Sequence, residues 1–208
     1  MNKIVRKDGI NYSRRPKRGL IPSQNQYSTY IQKLTEAKDI HTLLALRLGC
    51  EMGLSRMEIV NLEVRNLDRE HTRGLWVEIA KKVKRGKNFV MRSREIPVNI
   101  NLYSLLINYM DKDIKYIFRR EKSLDILKPL QHQQINWLYE RAGIPWSSHK
   151  SRHFFKNAVR DWMRKNRQMD EELIRHYMGH AYLDAHQSYG DFSWDYKIEI
   201  MDNVFGGK

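Results

Sequence analysis

The 208 residues include 38 Lys and Arg against 24 Asp and Glu, a formal charge of +14 at pH 7. Hydrophobic residues make up 41% and aromatics 11%, enough for a folded body of one good-sized domain or two small ones rather than a disordered chain. One cysteine, Cys50, excludes an internal disulfide framework, and no stretch approaches the roughly 18 apolar residues of a membrane span.

The N-terminus has no apolar core that would act as a secretion signal, so a reducing, cytoplasmic setting and no membrane partner are expected. A cationic excess of this size points to a polyanion, because phosphate binding is driven by counterion release. Residues 1–26 read as a basic, flexible DNA-contacting arm: Lys3, Arg6, Lys7, Arg14, Arg15, Lys17 and Arg18 face the single acid Asp8, and Gly9, Pro16, Gly19 and Pro22 break any period. From Tyr27 the pattern is helical. Ile40, Leu43, Leu44, Leu46, Leu48 and Cys50 cover most of one helix surface, as a buried helix requires, and Ser55–Leu62 follows Gly53 as a second short helix.

Leu75, Val77 and Ile79 alternate with Trp76, Glu78 and Ala80, which predicts a strand. A basic turn over 81–88 leads to a second strand from about Phe89 to Ile96, ended by Pro97. Beyond this hairpin the periodicity is helical again. Faces form at Leu102, Leu105, Leu106, Tyr109 and Met110, and at Ile135, Leu138 and Tyr139. Ser147 or Ser148 is placed to cap a helix carrying His149, Arg152, Phe155, Val159 and Trp162, and a short helix then stops at Gly179. An amphipathic piece over 193–204 ends the chain. The expected fold is mainly α (α+β): a helical domain over 27–208 with one small antiparallel hairpin on an edge.

Common chemical templates are missing. The sequence has no Gly-rich phosphate loop, no cysteine pair and no HExxH, and His149 and His153 have no third ligand at a useful spacing, so neither metal nor cofactor is expected. His149 and Arg152 stand three apart near a helix start, where an imidazole and a guanidinium share a face at the positive end of the dipole. Taken alone, that pair is an ordinary surface feature. It is followed in order by Met178-Gly179-His180 and, nine residues after His180, by Tyr189.

This ordered set resembles the catalytic domain of the tyrosine recombinases, the phage-type integrases. Ala142-Gly143-Ile144, Arg94-Glu95-Ile96-Pro97 and Glu58-Ile59-Val60-Asn61-Leu62 are similar to the family as well. The resemblance implies that Tyr189 is the nucleophile that attacks a DNA phosphodiester, forming a 3′-phosphotyrosyl bond and freeing a 5′-hydroxyl. It further implies that His149 assists proton transfer, Arg152 and another arginine hold the non-bridging oxygens, and His180 hydrogen-bonds the phosphate. A hairpin lysine would protonate the leaving oxygen. Lys84, thirteen residues before Pro97, is the choice, with Lys82 and Lys87 still open. No cofactor is implied. The partners implied are double-stranded DNA and further copies of the chain, a tetramer on paired sites.

Two departures bear on activity. The family reads Gly-x-Arg-x-x-Glu where this chain reads Gly53-Leu54-Ser55-Arg56-Met57-Glu58, so a serine holds the first-arginine position and Arg56 lies one step on, rotated by about 100°. Arg56 is taken as the first arginine, and the alternative is an impaired, recombinase-like DNA-binding module. A topoisomerase-like relaxing activity shares the same chemistry. The basic arm is also too short to form the N-terminal clamp domain of the family, which leaves a fragment or a compact member. Ile198, Ile200, Met201, Val204 and Phe205 form a tail that either passes to a neighbouring copy or packs on its own domain.

Overall fold

The computed structural model describes residues 20–68, 72–82, 89–110, 114–119, 128–179 and 192–206, with the side chains of 79–82 and 89–92 left aside. Helix α1 spans Gln24–Glu36, starting three residues before the predicted Tyr27. The reason is local: Ser23 accepts from Gln26 N while the Gln26 side chain accepts from Ser23 N, a capping box that apolar periodicity does not reveal.

Helix α2 (Ile40–Glu51) is the centre of the body. Its apolar residues run all round it, and it packs against α1, α3 (Arg56–Val60), α5 (His132–Arg141) and α6 (Ser148–Lys165). Leu44, Ala45, Leu46, Leu48 and Cys50 are fully buried. Burial pushes the Cys50 thiol well above its ordinary value, so it packs as a small hydrophobe. The polar side chains that α2 buries form a satisfied network. Glu51 accepts from the Tyr27 hydroxyl, from Arg47 Nε at 2.7 Å and from Asn99 Nδ2 at 2.8 Å, tying α1 and the start of α4 (Ile100–Tyr109) to the core.

Strands β1 (Gly74–Lys82) and β2 (Phe89–Pro97) pair antiparallel, from Gly74↔Pro97 to Lys82↔Phe89. Strict alternation orients them: Leu75 and Val77 on β1 and Arg94 and Ile96 on β2 face the body, while Trp76 and Glu78 face solvent. The strands reach further than the predicted Ile96 and Ala80 ends, because pairing continues past the apolar residues.

The tail becomes α8 (Trp194–Phe205), capped by the Ser193 side chain. It packs on its own chain. Ile200 and Met201 are fully buried, and the Phe205 ring stacks on Phe155 at 5.6 Å and 16°. Asp202 accepts from Arg73 Nη2 at 2.8 Å and from Ile100 N at 3.0 Å. Among the described residues no helix is long and apolar enough to cross a membrane.

Candidate active site

The start of α6 is held in place before it presents any functional group. Ser147 is the N-cap residue but makes no side-chain cap bond. Ser148 instead donates from N (3.2 Å) and Oγ (2.8 Å) to Asn136 Oδ1 on α5. Ser151 is buried and meets the Tyr139 hydroxyl and Trp146 Nε1, each at 3.1 Å. Opposite it, a Cβ on Gly49 would stand 3.0 Å from Ser151 Cβ, so a glycine lets α2 and α6 approach closely.

With α6 anchored, Arg152 points into the body and is 9% exposed. Its Nη1 donates to Gly53 O at 2.5 Å and to Glu58 Oε2 at 3.1 Å, and its Nη2 donates to Met178 O. Arg94, from β2, arrives at the same carboxylate: Nη1 donates to Glu58 Oε1 at 2.6 Å and Nε to Tyr177 O at 2.9 Å. A third donor, Ser55 N, reaches Glu58 Oε2 at 2.7 Å. Burial pushes the Glu58 carboxyl up, but Arg94 and Arg152 outweigh that and hold it below its ordinary value.

Both arginines thus end on carbonyls at the C-terminus of α7 (Glu171–Tyr177), where unpaired acceptors and the dipole favour cations. Two glycines make room. Gly53 has φ +64°, and a Cβ there would meet Phe155 at 2.5 Å. Gly179 has φ +57°, and a Cβ there would stand 2.5 Å from Arg94 Nη1.

His149 is exposed on the first turn of α6. Its Nε2 lies 3.1 Å from His153 Nε2, with the rings edge to face. Burial, then the facing His149, lower the proton affinity of His153, followed by Lys150, Lys156 and Arg152. Among the described residues no group of three or more His, Cys, Asp or Glu side chains is placed to hold a metal ion.

Of the side chains singled out in the sequence, His149 and Arg152 both lie on α6, the first exposed and the second buried against Glu58. Arg56 is exposed at the first position of α3 and takes no part in the Glu58 cluster. Ser55 is the N-cap of α3, its hydroxyl accepting from Glu58 N at 3.4 Å. Lys84, His180 and Tyr189 lie outside the described residues, as does Lys87. Sequence reasoning missed Arg94 and Glu58 as members of the cluster. The available signal was a cation at an inward-facing register position of a strand, where an apolar residue is the norm.

The profile of the Phage integrase family matches residues 23–193. The chain belongs to that family, the tyrosine recombinases. Its fold is similar to the integrase from mycobacterium phage Brujita, at 18% identity and TM-score 0.65, covering 96% of this chain and 63% of that one. A Tn1549 transposon integrase in complex with transposon right end DNA is similar at 15% identity and TM-score 0.61, over 91% of this chain and 67% of the other. XerA recombinase is similar at 18% identity and TM-score 0.57, over 93% and 67%. No curated protein matches the chain at the level of its sequence. This integrase-family chain therefore spans somewhat under two thirds of the Brujita integrase.

Proposed function

We propose that this chain catalyses DNA strand cleavage and rejoining in site-specific recombination, with Tyr189 as nucleophile. The observation that carries the reading is the Glu58 cluster. It fixes the guanidinium of Arg152, a residue one helical turn after His149 on α6, and ties it to the end of α7, two residues before His180.

In the proposed step His149 takes the phenolic proton as the Tyr189 oxygen bonds to phosphorus. Arg152 steadies the charge on the non-bridging oxygens, as suits a planar guanidinium with no accessible neutral form. The bond from phosphorus to the 5′-oxygen breaks, and that oxygen takes a proton from Lys84. The product is a 3′-phosphotyrosine whose ester energy allows religation by the reverse path, without an external energy source. A phenol has a pKa near ~10, so base assistance and charge stabilisation are both needed at neutral pH.

Exchanging two duplexes cuts four strands, and one nucleophile per chain then calls for a homo-tetramer on paired DNA sites. Double-stranded DNA is the partner that the +14 charge suits.

A pool of nicked duplexes with randomised cleavage regions tests the reading. The wild-type chain should be trapped as a covalent protein–DNA adduct, and Tyr189→Phe should yield none. An adduct that persists in the Tyr189→Phe chain overturns the assignment. A second reading, a DNA-gripping module that no longer cuts, draws on one observation: Ser55 stands where the family has an arginine and is engaged as a helix cap. Salt-sensitive DNA binding with no adduct in any member of the pool would favour it.

A further inference from the structure

We propose that Arg94 is the second guanidinium that holds the reacting phosphate, in the place that Ser55 leaves without an arginine. The inference rests on the recombinase reading above and names a residue which that reading does not use.

Four observations converge. Arg94 is 7% exposed, and its Nη2 is the buried side-chain atom that, among the described residues, has no hydrogen-bond partner. Buried guanidinium N–H groups are almost always satisfied, so one left open at a binding site calls for an acceptor that arrives with a ligand. Next comes charge: Arg94 and Arg152 share the single carboxylate of Glu58, which leaves the buried group at a net +1. In a region of low dielectric that surplus selects an anion.

The third observation is position. Arg94 Nη1 and Arg152 Nη1 sit on the two oxygens of one carboxylate, at 2.6 and 3.1 Å, so both guanidinia belong to one cluster. The fourth is that the chain makes space for this arginine, since any side chain at Gly179 would collide with its guanidinium. By contrast, the Ser55 hydroxyl is committed to the α3 cap and Arg56 lies outside the cluster. The ligand chemistry is a tetrahedral phosphate oxyanion, in function a DNA phosphodiester.

The experiment titrates the full chain with inorganic phosphate at constant ionic strength, chloride replacing phosphate, and follows the thermal midpoint. Arg94→Lys keeps the charge and a contact to Glu58 but loses the fork, and it should bind phosphate at least tenfold more weakly, as should Arg152→Lys. Phosphate affinity unchanged in Arg94→Lys overturns the proposal, and so does a wild type that phosphate does not stabilise beyond the chloride control. If the lysine variant does not fold, the Arg94 resonances of the wild type decide. Nitrogen resonances of the Arg94 guanidinium, assigned through their proximity to Gly179, should shift on phosphate addition, and fixed resonances reject the role.

The nicked-duplex adduct separates the two readings. An adduct in wild type with phosphate affinity indifferent to Arg94 sinks only the Arg94 role. Arg94-dependent phosphate binding with no adduct sinks the cleavage reading and leaves the anion pocket standing.

Discussion

Arg152 Nη1 meets Glu58 Oε2 at 3.1 Å, and the partner oxygen of that carboxylate is held by Arg94. Glu58 is therefore the joint through which α3, β2, α6 and the end of α7 are fixed to one another. A carboxylate that is 2% exposed and accepts from two guanidinia and a backbone N–H cannot be removed without leaving buried charge uncompensated.

Glu58→Gln keeps the shape and removes the charge. Both arginines then lose their counter-ion in a buried site, and the expected loss of stability is about 3–5 kcal/mol. Urea unfolding followed by circular dichroism measures it. A loss under about 1 kcal/mol would show that the pair is screened by solvent rather than buried.

The same group sets an acid limit. The Glu58 carboxyl titrates below its ordinary 4.5 in the folded chain, so between those values the unfolded chain holds the proton and the folded one does not. Its contribution to stability is complete above about pH 4.5 and is lost as pH falls through the depressed folded value. His153 and His176 are also lowered from 6.5, by burial first and then by His149 and Lys197 respectively. Their contribution is present above about pH 6.5 and fades as pH falls through their lower folded values. Stability measured from pH 8 to pH 3 should drop in two stages, with Glu58→Gln flattening part of the lower stage alone. Asp39 and Glu171, lowered as well, keep the remainder of that stage.

Ser55→Ala isolates the cap. The Ser55 hydroxyl bond to Glu58 N is long at 3.4 Å, so the cost should sit at the low end of the N-cap range, about 0.5–1 kcal/mol. The Glu58 contact with Ser55 N involves only backbone on the serine side and should survive. Chemical denaturation gives the number, and DNA affinity in the same variant should match wild type.

The docking of α8 has its own test. Arg73 and Asp202 form a two-pronged pair at 3.1 and 2.8 Å, with side-chain exposures of 19% and 35%. A double-mutant cycle with Arg73→Ala and Asp202→Ala should return a coupling of about 1 kcal/mol. Coupling that appears only at high protein concentration would mean that α8 belongs to a neighbouring copy.

Much of the fold was legible in the sequence because it follows from period and punctuation. The all-round apolar run of α2, the alternation of Leu75 and Val77 with Trp76 and Glu78, and the stop at Gly179 depend only on nearby residues. Ordered spacing also pointed to His149, Arg152, His180 and Tyr189 and to the family. The start of α1 at Gln24 is not legible in the apolar period, because side-chain caps carry none.

Glu58 and Arg94 belong to the other class. In the sequence, Glu58 is an acid three residues after a serine, and Arg94 is one of many cations in a chain of net charge +14. Which cation lies against which acid is a matter of distances across the fold: α2 and α6 close over Gly49 and Ser151, the strand pleat turns Arg94 inward, and the end of α7 supplies carbonyls to both guanidinia. Local pattern specified the elements, since hydrogen bonding and burial within a helix or strand are set by neighbours. Long-range packing alone decided the cluster of Glu58, Arg94 and Arg152, since a buried charge is tolerated only where distant segments bring its counter-charge within about 3 Å.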